Sequence, residues 1–216
     1  MRSILSSCYM QLAGNRQAPP IQRGTGLVLQ LIRTLSPCNY PRDSYITKAM
    51  TDSSDYSSRL LAYTEGKDPV AMQREMPALL AGLIAGMEPA RLTMSHAPGK
   101  WSVCEILAHL AEDELTTTWR YRQMIESPGV ALAGFDQELW AKLGDYRSWT
   151  PQDGLEMFRL LREANLRMLE GLTPEQWECY GNHAERGRIT VRSLAQHMAG
   201  HDCNHLDQIR RILGKS

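Results

Sequence analysis

The chain has 216 residues, 43% hydrophobic and 22% charged, and its 24 basic side chains balance 24 acidic ones for a formal net charge of zero. That length suits one medium domain with an appendage, and the charge balance leaves no basic footprint for tracking a nucleic-acid backbone. No apolar run is long enough to cross a bilayer, and five cysteines, odd in number and without a CxxC pair, fit reduced thiols in a cytoplasm better than a disulfide framework.

Residues 1–49 differ from the rest. Arg2, Arg16, Arg23, Arg33, Arg42 and Lys48 face a single acid, Asp43, so six charges against one give plus five. Basic, acid-poor composition can resemble a transit peptide, but scattered Gly, Pro and Ser, a short apolar patch "GLVLQLI" and missing helix caps read as a disordered arm or translated upstream sequence. Met50 in "MTDSSDYSSRLL" is a plausible initiation point, residues 50–67 read as a linker, and residues 68–214 as the folded unit.

From residue 68 the punctuation is helical. "DPVAMQREMPALLAGLIAGM" opens with Asp68 as N-cap and Pro69 at the first helical position, and Pro77 is a potential kink. "WSVCEILAHLAEDELTTTWRYRQMIES" has Ser102 and Glu105 at capping-box spacing and stops at Pro128-Gly129. A third helix runs from Thr150-Pro151 to Gly171, "TPEQWECY" adds a short one, and the last spans Thr190 to Gly214. No alternating pattern marks a strand. The fold class expected is all-α, an antiparallel four-helix bundle with a long connection between helices two and three and a short extra helix before the fourth.

The last helix carries "HMAGHDCNHLDQI", three of the chain's six histidines at steps of four. At about 100° per residue, His201 and His205 share a face with Leu194, Met198, Ile209 and Ile212, while Cys203 points away. Two neutral imidazoles one turn apart grip a divalent ion, which needs at least one more protein ligand. Asp202 stands where a zinc peptidase has its glutamate, no ligand set follows His205, and no Glu-x-x-His pair signals a di-iron site. The third ligand must come from upstream, and His109, flanking the apolar face of the second helix in a stripe with Asp113, Thr116 and Arg120, is the best candidate. His197 is rotated about 80° from His205 and reads as a core residue rather than a supporting donor, and His96, in the loop "SHAPGK", reads as having no role at the site. His183 precedes the last helix, where a loop could fold over the site.

Other polar residues are placed by phase. Glu114 falls on an apolar face and needs a buried partner, for which Arg162 of the third helix is the candidate. Gln208 lies one turn past His205 and could orient an imidazole. Asp113 and Asp202 are the nearest proton acceptors.

These residues resemble a known family. "KWSVCEILAHLAEDE", "FDQELWAK" and "GRITVRSLAQHMAGHDCNHLDQI" are similar to the DinB-like superfamily of metal-binding four-helix bundles, YfiT-type proteins among them, over roughly residues 68–214. The resemblance implies a histidine triad of His109, His201 and His205. It also implies activities of two kinds, hydrolase and thiol-dependent transferase, the latter using a low-molecular-weight thiol. The reading is thus a cytoplasmic, metal-dependent enzyme acting on a small molecule, with Asp113 and Asp202 as catalytic carboxylates and Gln208 and His183 in support. Zinc, nickel or iron would suit the imidazoles. The alternative is a non-catalytic bundle clamped by its metal, or one that pairs with a second copy.

Overall fold

The computed structural model describes residues 56–215. The basic stretch 1–49 and its "GLVLQLI" patch lie outside them. Residues 56–64 are helical and lead into α1 (Pro69–Ile84), the short α2 (Pro89–Thr93), α3 (Val103–Glu126), β1 (Val130–Leu132), α4 (Gln137–Leu143), a 3-10 turn (Tyr146–Ser148), α5 (Pro151–Glu170), α6 (Pro174–Trp177), β2 (Tyr180–His183), β3 (Gly187–Thr190) and α7 (Val191–Leu213). Helices α1, α3, α5 and α7 form a four-helix bundle, and everything between α3 and α5 makes up the long connection. None of these helices is long and apolar enough to cross a membrane.

The helix ends follow the local signals. Asp68 accepts from Val70 N–H to open α1, Ser102 and Glu105 close a reciprocal capping box on α3, and Thr190 with Ser193 does the same on α7. The helix α1 continues through Pro77 and ends three residues before Met87, because Gly86 adopts φ +69°. At the far end Gly214, at φ +67°, terminates α7.

Two expectations need correction. The stretch read as a linker includes a helix at 56–64 that packs on α7: Leu60 is fully buried, Gln196 Nε2 donates to Thr64 Oγ1 (3.1 Å), and Tyr63 donates to Asp207 Oδ2 (2.8 Å). Gly200 permits the approach, since a Cβ there would lie 2.2 Å from Leu60 O. There is also a small sheet, ordered β1-β2-β3, with β1 parallel to β2 and β3 antiparallel to it. Its strands of three or four residues are too short to show a two-residue period.

Two apolar clusters fill the bundle. One gathers Met76, Leu80, Ile106, Leu107, Leu110, Phe158, Leu206 and Ile209; the other, under the sheet, gathers Tyr121, Met124, Leu132, Leu169, Ile189, Leu194 and Met198. Between them lies a buried polar layer to which every long helix contributes, with Gln73, Glu114, Arg162, Asn165 and Asp202. Arg162 binds Glu114 through two bonds (3.0 and 2.8 Å), Asp202 at 2.6 Å and the carbonyl of Gln73 at 3.2 Å. The pairing of Glu114 with Arg162 is the one anticipated from helix phase.

Candidate functional site

Three imidazoles converge where α3 faces α7. His109 Nε2 lies 3.2 Å from His201 Nε2, which lies 3.1 Å from His205 Nε2. A tetrahedral ion with metal–nitrogen bonds of about 2.0–2.1 Å would set its ligands about 3.3–3.4 Å apart, so the nitrogens stand near ligand spacing. A single proton on His201 Nε2 could satisfy one of these two contacts and would leave the other as opposed lone pairs, whereas a cation satisfies both. Among the described residues, these three side chains form the grouping of His, Cys, Asp or Glu able to hold a metal ion.

The protonation states suit ligation. Burial lowers His109 to about 3 and holds His205 well below its ordinary range, so both are neutral. His205 donates from Nδ1 to Gln208 Oε1 at 2.9 Å, which leaves the Nε2 lone pair free. His201 is different: burial disfavours its charge, but Asp202 and Asp113 outweigh that and raise it. Its Nδ1 has no hydrogen-bond partner and faces Asp113 Oδ2 at 3.6 Å and Asp202 Oδ1 at 4.0 Å. A cation on Nε2 would direct the Nδ1 proton toward these carboxylates, the arrangement that favours a metal-bound imidazole.

Asp202 does not open onto the site. It is fully buried, its carboxyl kept ionised by Arg162 against the opposing effect of burial, and so stands behind His201. The helix wheel could not show this, because it fixes direction around α7 but not the neighbour met there. Asp113 keeps 12% of its side chain exposed. His183, at the end of β2, accepts from Glu185 N–H at 3.2 Å and lies outside the three-imidazole grouping. His96 is exposed, and His197 accepts from Arg186 with its ring stacked 6.4 Å from that of His201. Trp101, in the "KWSVCEILAHLAEDE" stretch eight residues before His109, places its ring centre 5.0 Å from that of His109, a contact that helix phase did not indicate. A cavity of about 550 Å³ lined by Tyr56, Trp101, Asn204, His205 and Gln208 reaches the cluster.

The DinB superfamily profile matches residues 72–209, most of the described unit. The chain belongs to the DinB superfamily. Among its relatives, a Bacillus subtilis protein named "Putative metal-dependent hydrolase YfiT" is 23% identical over 167 residues, 75% of this chain and 94% of the relative. An Oceanobacillus iheyensis protein named as a "Putative metal-dependent hydrolase" is 25% identical over 138 residues, 64% of this chain and 80% of its own. The solved structure of Bacillus subtilis YfiT, described as a probable metal-dependent hydrolase with an unusual four-helix bundle topology, superposes with a TM-score of 0.63 at 22% identity, covering 68% of this chain and 87% of that one. That likeness places the four-helix fold of this DinB protein. The histidines, read from its own residues, give the fold a candidate metal centre.

Proposed function

We propose that this DinB-superfamily protein is a metal-dependent hydrolase acting on a small molecule, with His109, His201 and His205 holding a divalent ion. The observation that carries the reading is the convergence of three Nε2 atoms, 3.1 and 3.2 Å apart along the chain of contacts, beside an open cavity. Zinc, nickel or iron held there would supply Lewis-acid activation of water or of a substrate carbonyl. The protein's own groups would do the rest. Gln208 fixes the tautomer of His205, Asp113 and Asp202 would face the Nδ1 proton of a metal-bound His201, and Trp101 packs against the ring of His109. Asp113, the carboxylate that retains some exposure, is the candidate proton acceptor. A purely structural clamp would call for a closed sphere of protein ligands, and among the described residues no fourth ligand joins the three. The free thiols of Cys104, Cys179 and Cys203 support a cytoplasmic setting.

The test is metal content followed by turnover. Replacing His109, His201 or His205 with alanine should remove most bound metal and abolish hydrolysis of any ester or amide found by screening, while His96→Ala should alter neither. Full occupancy in His109→Ala would overturn the assignment. Asp113→Asn should keep the metal and lower turnover by about 100-fold to 10,000-fold, the usual worth of a general acid–base group.

A further inference from the structure

A second cavity, of about 620 Å³, adjoins the one that reaches the histidines. Arg59 and Asn204 line both, and Asn204 directly precedes His205 on α7. The wall of the second cavity is rich in positive charge. Arg59 comes from the leading helix, Arg210 and Arg211 from the last turn of α7, and Lys215 from just beyond it. The carboxylate that lines it, Asp207, is already engaged, for Oδ2 accepts from the Tyr63 hydroxyl at 2.8 Å and Oδ1 from Arg210 at 3.1 Å. Four cations against one acid leave a surplus of three.

The other three cations have neutral neighbours. Arg211 Nε donates to the carbonyl of Asp207 at 3.2 Å, Lys215 Nζ donates to that of Leu83 at 2.8 Å, and the Arg59 guanidinium carbon lies 5.7 Å from the centre of the Tyr56 ring. None of the three forms an ion pair within 4.0 Å among the described residues. The surplus runs against the rest of the molecule, since residues 56–215 hold 18 basic side chains against 21 acidic ones and are net negative by three. Helix polarity favours cations in a last turn and so accounts for Arg210 and Arg211. It does not account for Arg59, which arrives on another helix, or for Lys215, past the end of α7. All four lie outside residues 72–209, the span matched by the superfamily profile, so the shared fold does not call for them. Like charges gathered around one cavity repel one another, and a bound anion relieves that repulsion.

We propose that Arg59, Arg210, Arg211 and Lys215 bind the phosphate group of a small molecule in this second cavity. A phosphate carries about −1.5 to −2 charge near pH 7 and three acceptor oxygens, which suits a surplus of this size. Guanidinium forks pair with it bidentately. That the molecule is the substrate rests on the proposed function: its phosphate would lie among the cations, and its other end would pass Arg59 and Asn204 into the cavity at the histidines. There Lys100 is balanced by Glu138, so nothing calls for a second charged end. The class selected is a phosphorylated small molecule in which the phosphate is the handle and the bond cleaved lies at the opposite end.

Calorimetric titration of the full-length protein with inorganic phosphate, before and after chelator treatment and at constant ionic strength, tests the site. Wild type should bind phosphate in both forms. Arg59→Gln and Arg211→Gln, both at exposed side chains, should each weaken binding about threefold to tenfold, between the worth of an exposed ion pair and that of a charge-assisted hydrogen bond, and together by more than about tenfold. Metal content and thermal midpoint should stay the same. Arg188→Gln, which removes one charge elsewhere, should leave the affinity as it was. No saturable binding, equal weakening by Arg188→Gln, or a double variant that binds like wild type overturns the proposal, as does binding that vanishes with the metal, because the phosphate would then sit on the ion. For an ester found by screening, the phosphorylated form should have a lower KM than its unphosphorylated counterpart, and Arg211→Gln should narrow that difference; equal KM values in wild type overturn the role of the handle. Phosphate binding intact in a protein whose histidines hold no metal would count against the proposed function alone.

Discussion

Arg162 shows what a single buried charge demands of its surroundings. Burial disfavours the guanidinium, but Asp202 and Glu114 more than offset this and hold it charged. Deleting it strands two carboxylates out of water. Arg162→Met should therefore lower unfolding free energy by about 3–5 kcal/mol, measured by urea denaturation, while adding Glu114→Leu and Asp202→Leu should restore much of the loss. Part of this cluster was legible in sequence, since Glu114 in phase with Leu107, Leu110 and Tyr121 required a partner. The role of Asp202 was not, because periodicity says which way a side chain points and nothing of which residue stands opposite at the same height. The same limit hid the contact of the Trp101 ring with His109.

Among the elements, the four long helices were readable because caps and periodicity agreed, although α1 stops three residues short of the end of its apolar pattern. The helix at 56–64 was missed since its opening lies in a Ser- and Asp-rich stretch, and its hold on α7 depends on a glycine that looks unfavourable inside a helix. Gly200→Ala tests that hold. Helix propensity favours alanine by about 1 kcal/mol, but a Cβ at 2.2 Å from Leu60 O forces the leading helix away. The clash should win, costing about 1–3 kcal/mol as overpacking does. Limited proteolysis should cut near residues 56–64 faster in the variant; an unchanged cleavage rate would mean that the segment can shift without loss.

At the scale of the molecule, the buried imidazoles tie stability to acidity. His109, His197 and His205 are held neutral chiefly by burial, the first two lowered to about 3, whereas unfolded histidine protonates near about 6.5. Below that value the unfolded chain takes up protons that the folded chain refuses. Their stabilisation is thus complete above about 6.5 and is lost progressively as pH falls toward about 3. His201 acts oppositely: its raised value contributes stability in acid that disappears as pH rises through it, but it stands against the other three. Chelator-treated protein should accordingly show a lower urea midpoint at about pH 5 than at about pH 7.5, and an equal midpoint would falsify this balance. Metal should leave over the same acid range, since protons compete for the imidazoles. The polar layer has one further consequence, for portability. Asp202 adjoins His201, and Glu114 lies five residues beyond His109, so Arg162 pins both ligand-bearing helices at the height where their imidazoles meet. A slip of one helix by a single turn, about 5.4 Å, would strand that cation and part the nitrogens in the same movement. Grafting the three histidines onto another bundle would leave this alignment behind, so the smallest transplantable unit also includes Glu114, Arg162 and Asp202, with the carbonyl of Gln73 as their fourth anchor.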